Sequence, residues 1–274
     1  MTPADDVRDQ MRAAYDATGA AWDAGPRRVY DALAAALLDC SPVAIAGALA
    51  VDAGAGTGAA TQELTRRQAR MIVAVDLSAG MLHGVTAARP PGRTSSVAAV
   101  VGDVDALPLA SGCADLTVAA FVLNHVADPT ATLAELARVT KPDGGVLASV
   151  FGAAAPHPSK EAIDRVAASY GFTEPGWYRV FKDARDTPLQ DLRAVRDHAI
   201  RAGLLDVSVD VVVVDPQLSD VDLVSWRTGM AHLAPFMRQL APARAGQLRA
   251  DAAAAVAGLP ALTLTMQALS SRAG

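Results

Sequence analysis

Val51-Asp52-Ala53-Gly54-Ala55-Gly56-Thr57-Gly58 follows the apolar run Ala48-Leu49-Ala50 and precedes a helix-compatible stretch over residues 59–67. That order predicts a buried strand turning sharply into a helix. Glycines at alternate positions let the backbone bend tightly and open main-chain N–H groups to a ligand that a Cβ would hold off. The result is a cradle of nucleotide size. Gly54, Gly56 and Ala59 also satisfy the G-x-G-x-x-G/A dinucleotide pattern, so the cradle by itself does not choose its ligand, and a ligand-free turn stays open.

The downstream segments narrow the choice. Met71-Ile72-Val73-Ala74-Val75 reads as a second buried strand ending at Asp76, where a carboxylate can accept both hydroxyls of a ribose. A third strand over residues 97–101 runs into Gly102-Asp103-Val104-Asp105-Ala106-Leu107-Pro108-Leu109. A fourth, over 115–121, leads straight into Val122-Leu123-Asn124-His125-Val126-Ala127-Asp128-Pro129. A helix over 130–140 stops at Lys141-Pro142-Asp143-Gly144-Gly145, and residues 146–151 form a fifth strand. With this set in place the chain resembles the class I S-adenosylmethionine (SAM) dependent methyltransferases, closest to the branch acting on small molecules and quinone-like lipids. The resemblance is strong over residues 45–151 and weak in the flanks.

The resemblance implies an α/β fold: a doubly wound, seven-stranded, mostly parallel sheet with an antiparallel last strand, a helical N-terminal lid, and helical insertions before and after strand 6. It implies SAM as cofactor and a small organic acceptor, with secondary metabolism the expected setting. Gly54, Gly56 and Gly58 would line the methionine portion of SAM, with Asp52 near its ammonium group. Asp76 would bind the ribose, Leu77 and Met81 would sandwich the adenine, and Asp103 would accept from the adenine amino group beside the Val104 N–H. Val122 and the residues up to His125 would lie under the sulfonium and face the acceptor. Plainer readings stand beside these: Asp52 capping the turn, Asp76 capping the next helix, Leu77 and Met81 as ordinary core.

His125 is the candidate catalytic residue, because a neutral imidazole can take a proton near pH 7; a structural histidine is the competing reading. Tyr15 and Trp22 are candidates to close a lid, and Arg12 to meet the SAM carboxylate. Asn124, the chain's sole asparagine, joins Trp177, Tyr178, Trp226, Met230 and His232 as expected acceptor-pocket wall.

Composition bounds the alternatives. At 274 residues with 51% hydrophobic and only 4% aromatic content, an Ala/Val/Leu core in one domain is expected. The divisions are a lid over 1–42, a cofactor-binding core over 43–151, and acceptor-binding insertions with closing strands over 152–274. A net charge of −5 argues against nucleic acid as a partner. Cys40 and Cys113 read as plain buried thiols, and no histidine spacing suggests a metal site. No stretch approaches the roughly 20 apolar residues of a membrane span, and the polar N-terminus does not read as an export signal, so a cytoplasmic protein is expected. A nicotinamide-dependent oxidoreductase and a SAM-binding protein without methyl transfer are the competing functions.

The C-terminal third reads as a helix over 158–170, a Pro/Gly/aromatic loop over 171–188, and a helix over 189–202 closed by Gly203. A strand over 207–214 follows. Ser219-Asp220-Val221-Asp222 should cap a helix carrying Trp226, Met230 and His232. A helix over 242–257 and a final strand over 261–269 complete the chain.

Overall fold

The computed structural model describes residues 3–87, 95–151, 157–185, 189 and 191–274. At its centre lies β1 (Leu49–Ala53), flanked by β2 (Met71–Asp76) and then β3 (Ser96–Val101) on one side. On the other side follow β4 (Ala114–Ala120), β5 (Thr140–Phe151), β7 (Leu264–Arg272) and, at the edge, β6 (Leu205–Val214). The order is β3-β2-β1-β4-β5-β7-β6, and β7 runs antiparallel to both of its neighbours while the remaining pairings are parallel. Central strands read as apolar runs because helices cover both faces: Val51, Ile72, Leu116, Val118 and Leu147 are fully buried.

Two helical layers supply that cover. On one face pack α3 (Pro26–Asp39), α4 (Ala59–Arg66), α7 (Pro158–Ser169), α10 (Asp220–Gly229) and α12 (Pro242–Val256), joined in one core with Leu33, Leu37, Ile163 and Val224. On the other lie α6 (Pro129–Val139) and α9 (Leu192–Arg201), whose Leu133, Leu136 and Val195 meet Val51 and Val146. Helix α5 (Ala79–Ala87) covers β2 and β3, and the short α11 (Ala234–Gln239) follows α10. Over the carboxyl ends of the strands sit α1 (Pro3–Asp16), α2 (Gly19–Ala24) and α8 (Gly176–Arg185). Strand order reverses between β1 and β4, and crevices open at such switch points.

Several local expectations change. Residues 176–185 are helical rather than loop, because Pro175 occupies the capping position: its carbonyl accepts from Tyr178 and Arg179 N–H. Helix α10 stops at Gly229, since Met230 turns to extended backbone, so His232 stands beyond the helix. The last strand begins at Leu264, three residues later than its apolar run suggested. Helix α3 is a layer helix in the main core, which narrows the N-terminal cover to α1 and α2. Cys40 and Cys113 are half-buried rather than buried. Among the described residues no helix is long and apolar enough to cross a membrane, and no cluster of potential metal ligands occurs.

Candidate active site

A cavity of about 460 Å³ opens at the switch point. Every residue singled out from the sequence as a site candidate lines it, except Gly58 and the fully buried Leu123. The glycine turn is pinned to the end of β2: Val75 O accepts from Gly54 N–H at 2.7 Å and Ala55 N–H at 3.0 Å, and Asp76 Oδ2 accepts from Gly56 N–H at 2.8 Å. Gly54 and Gly56 take φ of +74° and +54°, and a Cβ on Gly54 would sit 2.3 Å from Val122 Cγ2. The loop therefore requires glycine twice over, for conformation and for space.

Gly58 departs from expectation. It starts α4 at φ +92°, and its missing side chain faces Val85 of α5, so it enables the turn rather than lining the cavity. The loop is also held from α3 by Arg27, only 9% exposed, which donates to Thr57 O at 2.6 Å and Gly58 O at 3.2 Å. Asp23 and Asp31 balance its charge. In sequence Arg27 is half of an unremarkable basic pair; only packing brings it under the loop.

Three carboxylates tip the first three strands. Asp52 is 1% exposed and accepts from Thr61 Oγ1 at 2.6 Å; burial pushes its carboxyl up to about 6. Asp76 is raised by burial, against the opposing N–H donations of Ser78 and Gly56. Asp103 begins a tight turn, accepting from Asp105 N–H at 3.0 Å, with Val104 beside it on the cavity wall. Leu77 is half-buried, and Met81 packs with Trp22 and Trp177 under the cover.

Past the end of β4, Phe121 adopts φ +60°, in the left-handed region that a bulky side chain rarely occupies. Its N–H donation to Ser149 O at 3.0 Å and its stack on Phe151 at 4.3 Å hold it there. Strain of this kind concentrates at functional sites. A single 3₁₀ turn, Leu123–His125, follows, and its Asn124 and His125 line the cavity. His125 meets the edge of Tyr15 at 5.9 Å, and Asn124 Oδ1 is buried with no hydrogen-bond partner among the described residues.

Aromatic side chains build the remainder. Tyr15, Trp22, Tyr30 and Phe121 form successive ring contacts at 5.6, 5.1 and 5.6 Å. All three tryptophans, three of the four tyrosines and two of the five phenylalanines line the cavity. Tyr30, Phe121 and Phe151 escape the sequence reading, yet scarcity was their signal: in a chain with so few aromatics, each one invites a reason. On the far wall Tyr178 stacks on His232 at 3.9 Å, and Arg227 donates twice to Asp164 at 2.7 Å.

The cover is tied to the cofactor-side loop. Asp16, at the end of α1, accepts from Ser78 Oγ at 2.6 Å and Gly80 N–H at 3.2 Å, two residues from Asp76. A Cβ on Gly80 would lie 2.2 Å from Asp16 O. Gly80→Ala should therefore lever α1 off α5, and limited proteolysis should show α1 cut at least tenfold faster than in the parent protein. Equal cutting rates would mean the contact does not hold the cover shut. Arg12 also lines the cavity from α1, with Asp9 at 3.5 Å.

Comparison with known proteins agrees with this geometry. A family model described as a methyltransferase domain matches residues 51–148. A demethylmenaquinone methyltransferase of Thermobifida fusca is 33% identical over 158 residues, which cover 58% of this chain and 63% of that protein. The chain thus matches less than two thirds of that relative's length. A demethylmenaquinone methyltransferase of Mycobacterium bovis is 31% identical over 204 residues, covering 71% of this chain and 81% of the relative. Among solved structures, phosphoethanolamine N-methyltransferase 2 of Haemonchus contortus in complex with SAM superposes with a TM-score of 0.56 at 16% identity, covering 88% of this chain and 52% of that one. At that identity the likeness concerns the fold.

Proposed function

The chain belongs to the class I SAM-dependent methyltransferases, and from this premise we propose that it transfers the methyl group of SAM to a small organic acceptor. One observation carries the reading: a single cavity joins the carboxylate-tipped ends of β1 and β2 to an aromatic hollow beyond β4. A donor and an acceptor can share it. SAM supplies an activated methyl, so the acceptor's lone pair forms the new bond as the carbon–sulfur bond breaks and its electron pair stays on sulfur, leaving S-adenosylhomocysteine. Alignment and exclusion of water then do most of the work asked of the protein.

The residues divide that work. Asp52 holds the ammonium group beneath the glycine turn, where Gly54 and Gly56 admit the methionine portion. Asp76 keeps lone pairs for the ribose hydroxyls, while Asp103 and the Val104 N–H meet the adenine edge and Leu77 and Met81 its faces. Val122, packed against Gly54, sets the floor under the reacting centre, with Asn124 beside it. His125 takes the proton of a hydroxyl acceptor, and Tyr15 closes over both. Trp177, Tyr178, Trp226 and Met230 form the acceptor wall. The antiparallel β7 and the turn at Asp103 favour this reading over a nicotinamide oxidoreductase. Titration calorimetry should give saturable binding of SAM and S-adenosylhomocysteine and none of NAD; a chain that binds NAD and ignores SAM overturns the proposal.

Asp52 makes the reading pH-dependent. Its folded value of about 6 lies above the ordinary 3.8. Between those values the folded state holds a proton that the unfolded chain has released, so this group's contribution to stability falls as pH rises through the window. A cationic ammonium partner reverses the preference by favouring the ionised carboxylate. SAM affinity should therefore decline as pH drops below 6, with proton uptake on acidification. Asp52→Asn should raise the Tm of the ligand-free protein at pH 7.5 while weakening SAM at least tenfold. A variant that binds SAM normally, or melts lower without ligand, contradicts the assignment.

A further inference from the structure

The glycine turn is held at its two ends by different parts of the fold. Its near end is tied to β2, through Gly54 and Ala55 N–H to Val75 O and Gly56 N–H to the Asp76 carboxylate. At its far end, Arg27 of α3 donates from Nη1 to Thr57 O at 2.6 Å and from Nη2 to Gly58 O at 3.2 Å. A trans peptide points its C=O and the following N–H in opposite directions. Thr57 O, drawn toward Arg27, therefore turns Gly58 N–H back onto Ala55 O at 2.8 Å, and that bond closes the turn. Gly58 O also accepts from Gln62 N–H at 2.9 Å, so the same guanidinium braces the start of α4.

Arg27 is placed with little freedom of its own. It stands at the root of α3, where a Cβ on Gly25 would lie 2.1 Å from Ser225 O of α10. Its Nε donates to Asp31 at 3.3 Å within α3, and Nη1 donates to Asp23 of α2 at 3.1 Å. Asp23 and Thr57 converge on α5: a Cβ on Gly84 would meet Asp23 Oδ2 at 2.8 Å and Thr57 Cβ at 3.0 Å. Asp23 follows Trp22, which lines the cavity. One rigid fork thus joins the cover, α3 and the far end of the turn. Taking a guanidinium out of water costs free energy that its bonds must offset. The side chains of Asp23 and Asp31 are 39% and 45% exposed, so surface pairing would have served them; burial is needed only to reach the turn. Arg27 does not line the cavity, so any effect on a ligand passes through Thr57 and Gly58.

We propose that Arg27 is a positioning residue for the methyl donor: it holds the turn in the closed shape that admits the methionine portion of SAM at Gly54 and Gly56, while the nucleoside end depends on Asp76 and Asp103 without it. This rests on the methyltransferase reading above. Bonds from an ionised donor are roughly twice as strong as neutral ones, which suits a loop that must keep its shape as ligands come and go.

Calorimetry with two ligands tests the role: S-adenosylhomocysteine, and 5′-methylthioadenosine, which keeps the nucleoside and the thioether but lacks the amino-acid arm. Arg27→Met should weaken S-adenosylhomocysteine about tenfold and leave 5′-methylthioadenosine within about twofold of the parent protein. Arg27→Lys keeps the charge without the fork that spans both carbonyls, so its S-adenosylhomocysteine affinity should fall between the two, again with 5′-methylthioadenosine unchanged. Binding of 5′-methylthioadenosine also reports that a variant is folded, and the lysine variant carries the test should the methionine variant not fold. Parental affinity for S-adenosylhomocysteine in Arg27→Met, or an equal loss for both ligands in a folded variant, overturns the role. With a normal S-adenosylhomocysteine isotherm in the parent protein, either result leaves the methyltransferase reading standing. A parent protein that binds neither ligand overturns both.

Discussion

Asp76→Ala is expected to weaken SAM and S-adenosylhomocysteine about 100-fold, measured as Kd by calorimetry. Two hydrogen bonds from ribose hydroxyls to an ionised carboxylate contribute about 1.5 kcal/mol each, and about 3 kcal/mol is roughly two decades of affinity. The carboxylate also accepts from Gly56 and Ser78 N–H, so its removal loosens the cradle itself. Asp76→Asn separates the two effects: it retains one acceptor oxygen and should lose about tenfold. Wild-type affinity in the alanine variant would show that Asp76 serves only as a cap between two loops.

His125→Ala should act on the other half of the reaction. With a hydroxyl-bearing acceptor, kcat should fall about 100-fold, the usual scale for a positioned general base, while the Kd for SAM stays within twofold. Two further readouts separate proton transfer from mere packing against Tyr15. Added imidazole should restore part of the turnover of the alanine variant, and a thiolate acceptor, which has no proton to lose, should be methylated at near the parental rate. Equal losses with both acceptors would reduce His125 to a prop for the cover. The fold should survive either way, since the 3₁₀ turn is held by its backbone, His125 N–H to Val122 O at 2.7 Å.

The carboxylate-lined half of the cavity was legible because its signals are local. The central strands β1, β2 and β4 are apolar runs packed between helices, and β1, β2 and β3 each end at or near a carboxylate, so Asp52, Asp76 and Asp103 can be read one segment at a time. Gly58 was misplaced by the same logic: alternation suggests that three glycines do one job, whereas the third faces Val85. Helix α8 was missed because Pro175 and Gly176 look like breakers until the proline carbonyl is seen capping the first turn. Arg27 and Gly80 carried no local mark of function, since their roles depend on close approach to segments tens of residues away.

The amino-acid order alone determined the sheet and the carboxylates that tip its strands, because burial on two faces imposes apolar runs; the cofactor class came with the family resemblance that those motifs carry. Tertiary structure alone decided the aromatic hollow: Tyr30 of α3, Phe121 beyond β4, Trp177 of α8 and Trp226 of α10 come from distant segments of the chain. No periodicity encodes such a wall. It exists only when side chains distant in sequence pack together.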